Sequence, residues 1–494
     1  MALVPFQLLL LLLLIAPYLS FAYSHQRPKL SAIRRESSIF SSSPDLPPEY
    51  ETHYYAQTLD HFNYYPESYI TFQQRYVLNF KYWGGANTSS PVFVYVGEES
   101  DIEGDILYVG FISELAARFE GLLLYIEHRY YGESLPFGTR EETFKNATTY
   151  GYLSSEQALA DYAQIITDVK KNLSAQNSPV IAVGASYGGM LASWFRMKYP
   201  HIVIGSLASS APILYFVDIT PQDGYQVVVS KDFMNTSESC YNTIKQSWSE
   251  IDRIAAQPNG LLDLGNMFNV CHPLNSTHGL KEYLATLYKF SAQYDNPPDY
   301  LVENLCKIID GAPPETDVLG RIIAGLNATT IFGNRSCNYV TDDDTLYKMN
   351  AWDLQTCTEM VLPIGVDNND TMFDISVFDL NNFTKLCHQV FGVTPRPFWA
   401  PIQFGGHDIK SALGNFASNI IFSNGLRDPW SAGGILEDIS DSIVSIRTDQ
   451  GAHCLDVLNP TPNDPAWLIE QREKEIKVIA AWLADYYAKL DTNN

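Results

Sequence analysis

Residues 178–198 read SPVIAVGASYGGMLASWFRMK, and this stretch decides the fold. The apolar run VIAV after Ser-Pro predicts a short buried strand, and the residues from Met190 onward predict a helix. At their junction stands Gly184-Ala185-Ser186-Tyr187-Gly188, a Gly-x-Ser-x-Gly pattern. A nucleophilic serine at such a junction needs small flanking residues, because strand and helix approach closely through a strained turn. The turn exposes the hydroxyl at the carboxyl end of the sheet, and the helix N-terminus favours developing negative charge.

Outward from this turn, strands and helices alternate. PVFVYVG (91–97), GLLLYIEHR (121–129) and HIVIGSLASS (201–210) read as strands. SELAARF (113–119) and residues 154–173 read as helices, the latter with Ser155 as its cap. That order implies a parallel sheet covered on both faces. From about 215 to 405 the rhythm stops, giving way to helix and loop that hold six of the seven cysteines. It returns with SNIIFSNG (418–425), DSIVSIRTDQ (441–450) and a final amphipathic helix over 470–490. An insertion into one α/β domain explains this better than two domains in series, with 51–214 and 406–494 as its two parts and 215–405 inserted.

A nucleophilic serine needs a base, and the base an orienting carboxylate; in this architecture they follow in the order Ser, Asp, His on later strand-end loops. Asp428, in SNGLRDPW after NIIF, and His453, in Gly451-Ala452-His453 after SIVSIRT, occupy those places. The oxyanion donors expected are the N–H groups of Tyr187 and of Glu98, in the loop after the first listed strand. Met190, one helical turn past Ser186, and Trp430 are candidate pocket walls. His128 and Arg129, at a strand end, read as structural. His61, His201 and His407 lack metal-ligand spacing and read as satisfied polar groups. Acyl transfer through a serine requires neither a metal nor an organic cofactor, and none is expected.

The chain has 494 residues, 46% apolar and 18% charged, which excludes long disorder. Asp plus Glu number 56 against 32 Lys plus Arg, a formal charge of −24 that disfavours nucleic acid and anionic lipid. LLLLLLLI (8–15) followed by Ser20-Phe21-Ala22 reads as a signal peptide over residues 1–22, with an uncleaved anchor as the alternative. Residues 23–50, Ser- and Pro-rich, read as a flexible leader or propeptide, with Arg34-Arg35 a processing site. Asn-X-Ser/Thr sequons at Asn87, Asn146, Asn172, Asn235, Asn275, Asn327, Asn334, Asn369 and Asn382 predict a glycoprotein. Cys240, Cys271, Cys306, Cys337, Cys357 and Cys387 read as three disulfides, with Cys454 left over. These features place the protein in the secretory pathway, in a vacuole or lysosome or outside the cell.

GASYGGM, NGxxDPWSxGG and GAH, with QTLDHFN (57–63), TFQQRY (71–76) and EHRYYGESLPFG (127–138), resemble the prolylcarboxypeptidase and dipeptidyl-peptidase II family of serine peptidases over about residues 55–490. The resemblance implies an α/β-hydrolase fold with a large helical, disulfide-linked inserted domain. It gives Ser186, Asp428 and His453 the nucleophile, orienting-acid and base roles. It pairs Cys240 with Cys306, Cys271 with Cys337, and Cys357 with Cys387. The family cleaves after proline, which implies a serine exopeptidase acting on peptides with proline near a terminus, as a Pro-X carboxypeptidase or, alternatively, a dipeptidyl aminopeptidase. A lipase or esterase, and a glycoprotein that keeps the fold without catalysis, are the competing readings; a homodimer is left open. The chain departs from the family at Gly97-Glu98-Glu99-Ser100-Asp101, where Gly-Asn-Glu-Gly-Asp is usual. It departs again at Cys454 and Leu458, which replace a histidine and an arginine. An acidic working range would therefore require desolvation or positive charge near His453.

Overall fold

The computed structural model describes residue 30 and residues 46–329, 331, 336–340 and 350–492. Eight strands form one sheet: β1 (Glu51–Thr58), β2 (Thr71–Asn79), β3 (Val92–Val96), β4 (Leu122–Ile126), β5 (Val180–Ala185), β6 (Gly205–Ser209), β7 (Ile420–Gly425) and β8 (Ile443–Thr448). Their spatial order is β1-β2-β4-β3-β5-β6-β7-β8. From β4 to β8 every pairing is parallel, so the VIAV strand β5 lies at the centre, between β3 and β6. The first two strands were not foreseen. They pair antiparallel with each other, and β2 pairs antiparallel with β4. β1 is exposed or half-buried along most of its length at the sheet edge, and β2, largely buried beside β4, carries Gln73, Gln74 and Arg75 in mid-strand, so neither reads as an apolar run.

Strand alternation sends Val92, Val94 and Val96 to one face and Phe93 and Tyr95 to the other. The first face is covered by Leu159 and Ile166 of the helix Ser155–Asn172 and by Leu191 and Phe195 of the helix Ser186–Lys198. The second is covered by Ile112 and Leu115 of the helix Phe111–Phe119 and by Ile479 and Leu483 of the helix Ala466–Thr492. These five-residue strands are buried along their whole length, which is why they read as unbroken apolar runs.

Two expected boundaries move. Ser154, not Ser155, caps the helix Ser155–Asn172, its side chain accepting from the Gln157 N–H at 3.3 Å, while the Ser155 hydroxyl is engaged elsewhere. The last helix begins at Ala466, before the charged EQREKE segment that suggested a start at 470. Between β6 and β7 the chain is mainly helical and contributes no strand to the sheet among its described residues. Disulfides join Cys240 to Cys306, Cys271 to Cys337 and Cys357 to Cys387, with Cα–Cα distances of 5.3, 5.1 and 5.3 Å. Asn87, Asn146, Asn172, Asn235, Asn275, Asn327 and Asn369 are exposed and Asn382 is half-buried. Asn334, Arg34-Arg35 and the signal segment lie outside the described residues. No described helix is long and apolar enough to cross a membrane.

Candidate active site

Ser186 is the first residue of its helix and has φ +55°, a left-handed conformation costly for a residue with a Cβ. Close packing of the chain on both sides holds it there. A Cβ on Gly184 would lie 2.0 Å from the Gly188 carbonyl oxygen, so only glycine fits. One on Gly188 would lie 2.9 Å from the Val96 carbonyl oxygen and 3.5 Å from the Glu98 Cβ. The first helical turn therefore presses on the loop that follows β3. This brings Tyr187 and Glu98, both fully buried, to one corner of the site.

The loops after β7 and β8 are tied together: the Arg427 N–H donates to the Gly451 carbonyl at 3.0 Å and the Leu426 N–H to Thr448 at 2.8 Å. This brings Asp428 to His453. His453 Nδ1 is 2.8 Å from Asp428 Oδ2, and its Nε2 is 2.9 Å from Ser186 Oγ. All three side chains are fully buried. An imidazole held at Nδ1 by a carboxylate, with Nε2 facing a hydroxyl, can take that hydroxyl's proton. The second oxygen of Asp428 accepts from the Trp430 N–H at 2.9 Å, fixing the carboxylate plane.

Burial acts to lower the pKa of His453, but Asp428 and, after it, Cys454 outweigh burial and hold the imidazole well above the ordinary histidine value. Arg427, the sequence neighbour of Asp428, is engaged by other acids. Arg427 pairs with Asp232 at 3.5 Å and with Asp295. Burial, opposed by Arg427, pushes Asp232 up to about 8 and raises Asp295. Cys454, beside the base, is buried with φ +57°, and burial pushes its thiol up to about 11.

Trp430 is fully buried, its ring edge-on to Tyr215 and Tyr225 with centroids 5.5 and 5.0 Å away. Its indole N–H donates to Gln293 Oε1 at 3.3 Å, while the Gln293 carbonyl accepts from the His453 N–H at 3.1 Å. Gln293 was missed, because no motif marks the last residue of the helix His278–Gln293 as a neighbour of the base. Met190 is buried in the core that packs on the β5 face. Arg129 is buried and bidentate to Asp161, through Nε at 2.7 Å and Nη2 at 2.6 Å; His61 meets the same carboxylate at 2.7 Å. His128 lies 3.2 Å from the Tyr187 hydroxyl, and burial brings its pKa down to about 4. A cavity of about 410 Å³ lined by Glu99, Asp101, Tyr131, Arg140 and Trp352 opens on this side, Trp352 packing 5.5 Å from the Tyr187 ring. The carbonyl oxygen of Leu30, in the leader, lies 2.8 Å from His453 Nε2 and accepts from the Ser186 hydroxyl.

A parallel sheet carrying a left-handed serine at the end of its central strand defines the α/β-hydrolase class. Comparison with known proteins narrows this. A family model described as "Serine carboxypeptidase S28" matches residues 57–475, and the chain belongs to that family of serine peptidases. The chain is 37% identical over 505 residues to a protein named "Lysosomal Pro-X carboxypeptidase" from Bos taurus, covering 99% of each. It is 35% identical to the Homo sapiens protein of that name, covering 97% of each. A "Thymus-specific serine protease" from Mus musculus is 28% identical, with 87% of each chain covered.

Gly184→Ala tests the turn. The added methyl group must push the first turn of the helix away from β5 and carry Ser186 with it. Covalent labelling by a fluorophosphonate should fall at least about a hundredfold, the scale of a small misplacement of reacting groups. Labelling at the wild-type rate would contradict this geometry.

Proposed function

We propose that the protein is a serine exopeptidase that cleaves peptides after proline through an acyl-enzyme on Ser186, acting as a Pro-X carboxypeptidase. The observation that carries the reading is the hydrogen-bonded series Asp428–His453–Ser186, in a chain similar along nearly its whole length to proteins of that name. His453 Nε2 takes the Ser186 proton as Oγ attacks the prolyl carbonyl, and Asp428 stabilises the imidazolium through Nδ1–H. The N–H groups of Tyr187 and Glu98 receive the oxyanion, which the start of the helix also favours. His453 then protonates the leaving amine. Water, deprotonated by the same nitrogen, releases the acyl group.

Proline has no N–H and presents a compact ring, so its pocket needs shape and apolar walls rather than a hydrogen-bond acceptor. Trp430 and Met190 are assigned to those walls. In this reading residues 51–214 and 406–494 form the catalytic domain and 215–405 the inserted one. Residues 1–22 direct the chain into the secretory pathway, towards a lysosomal or vacuolar compartment or the exterior. The leader 23–50 is removed before activity. The Leu30 carbonyl stands on the nucleophile, so a chain beginning at residue 46 should label with a fluorophosphonate faster than one beginning at residue 23. Equal rates would take the leader out of this reading.

Ser186→Ala should abolish both labelling and hydrolysis of X-Pro-Y peptides, with a loss of at least about 10⁴ in kcat. Full hydrolysis by that variant would discard the nucleophile. Peptides blocked at one end or the other, followed by mass spectrometry, decide direction: cleavage that survives N-terminal blocking supports the carboxypeptidase, and cleavage that survives only C-terminal blocking supports the dipeptidyl aminopeptidase. The pH response follows from the upward shift of His453. The base works only when neutral, so kcat/KM should rise with pH, its half-point above the ordinary histidine value of about 6.5. A half-point below that value would mean that burial outweighs Asp428.

A further inference from the structure

A buried polar network outside the Asp428–His453–Ser186 series converges on Tyr187, the residue whose N–H faces the oxyanion in the proposed mechanism. The Tyr187 hydroxyl is 2.7 Å from Gln355 Nε2, which donates to it, 3.0 Å from Ser155 Oγ and 3.2 Å from His128 Nε2. Gln355 Oε1 accepts from the Tyr131 hydroxyl at 2.7 Å. At the base of the network is Glu359. Its Oε1 accepts from the Ser155 N–H at 2.7 Å, the Ser155 hydroxyl at 2.9 Å and Gln355 Nε2 at 3.2 Å. One carboxyl oxygen thus fixes two of the three groups that contact the Tyr187 hydroxyl.

We propose that Glu359 is a positioning residue for the reaction: through Ser155 and Gln355 it locks the Tyr187 side chain, and with it the backbone N–H that receives the oxyanion. The inference rests on the peptidase reading given above. Helix packing alone does not call for this carboxyl. The helix Ser155–Asn172 already has its cap in Ser154, and a buried carboxyl is an expensive way to satisfy one further N–H. Burial, opposed by the hydrogen bonds from Ser155 and Gln355, pushes Glu359 up to about 7, and the other charge acting on it is a second acid, Glu156. What the carboxyl adds is rigidity at a specific point. Tyr187 is the first residue after the strained serine, its ring is clamped between His128 and Trp352 with centroids 5.6 and 5.5 Å away, and its hydroxyl is fully partnered. A displacement of that anchored ring as a whole would carry the Tyr187 Cα, and with it the peptide N–H. Glu359, Gln355 and Trp352 all lie between β6 and β7, so this network is also where that long connection grips the oxyanion corner.

The test compares Glu359→Ala, Glu359→Gln and Tyr187→Phe in the full chain. Glu359→Ala frees Ser155 and Gln355 and should lower kcat about ten- to a hundredfold, a part of the effect of removing one oxyanion donor, with KM within about twofold. Glu359→Gln keeps the accepting oxygen and should retain at least about a third of the wild-type kcat. Tyr187→Phe keeps the backbone N–H and loses only the hydroxyl; kcat should fall about fivefold or more, again without a matching rise in KM. It covers the case in which Glu359→Ala does not fold. Unchanged kcat in folded Glu359→Ala or in Tyr187→Phe would overturn the proposal, as would a fall in Glu359→Gln as deep as in Glu359→Ala. Failure of the wild-type chain to label Ser186 with a fluorophosphonate would instead sink the peptidase reading itself.

Discussion

The approach of Gly184 to Gly188, so close that a methyl group would meet the Gly188 carbonyl oxygen at 2.0 Å, is the constraint on which the site depends. It sets where the helix starts relative to the strand and forces the left-handed backbone at Ser186. It also presses the first helical turn onto the loop after β3. Strain of this kind persists only where the surroundings over-determine it. Here they do so from both directions: β5 is buried in mid-sheet between β3 and β6, and the helix is buried for most of its length. The hydroxyl direction is therefore fixed by backbone packing before any hydrogen bond from His453 is formed.

The chain between β6 and β7 touches the site at two separate points, and each has its own chemistry. On the base side, the Gln293 carbonyl holds the His453 N–H while the Gln293 side chain holds the Trp430 indole. On the oxyanion side, Trp352, Gln355 and Glu359 surround Tyr187. The Cys357–Cys387 disulfide sits at the end of the helix Ala351–Thr356 that supplies Trp352 and Gln355, and the Cys240–Cys306 bridge across 66 residues removes loop entropy worth about 4 kcal/mol from the unfolded chain. The long connection therefore acts on catalytic geometry directly, through groups within hydrogen-bond reach, as well as bounding the cleft.

What could be read in advance divides along physical lines. Buried parallel strands announce themselves as apolar runs, and the Ser186 turn and the Asp428 and His453 loops follow at strand ends, so the sheet and its three polar residues were legible. β1 and β2 were not, because β1 is exposed or half-buried at the sheet edge and β2 is broken in mid-strand by Gln73, Gln74 and Arg75, so neither carries such a run. Ser154 and Ser155 are indistinguishable as caps until Glu359, 204 residues further on, claims the second hydroxyl. Gln293, Gln355 and Glu359 sit at or just beyond helix ends in a segment without strand rhythm, and nothing local in sequence says which polar residue there turns inward. The disulfide pairs came from family resemblance, since six cysteines allow many pairings.

The formal charge of −24 counts every carboxyl as ionised, and the interior of this molecule disagrees with that count. Asp232 is pushed up to about 8 and Glu359 to about 7, while burial raises Asp295, Asp456 and Glu475. Asp232 and a share of Glu359 hold their protons near neutral pH, so the formal count overstates the negative charge. Distance then decides which charge matters. Surface carboxylates act through solvent that screens them over about 8 Å, whereas Asp428 lies 2.8 Å from His453 with no water between. Burial alone would have lowered the imidazole and suited an acidic compartment; the carboxylate that orients the ring, with Cys454 beside it, reverses that direction. In the proposed mechanism the same contact that orients His453 as the base therefore limits how far into acid it can act, and no surplus of surface charge can remove that coupling.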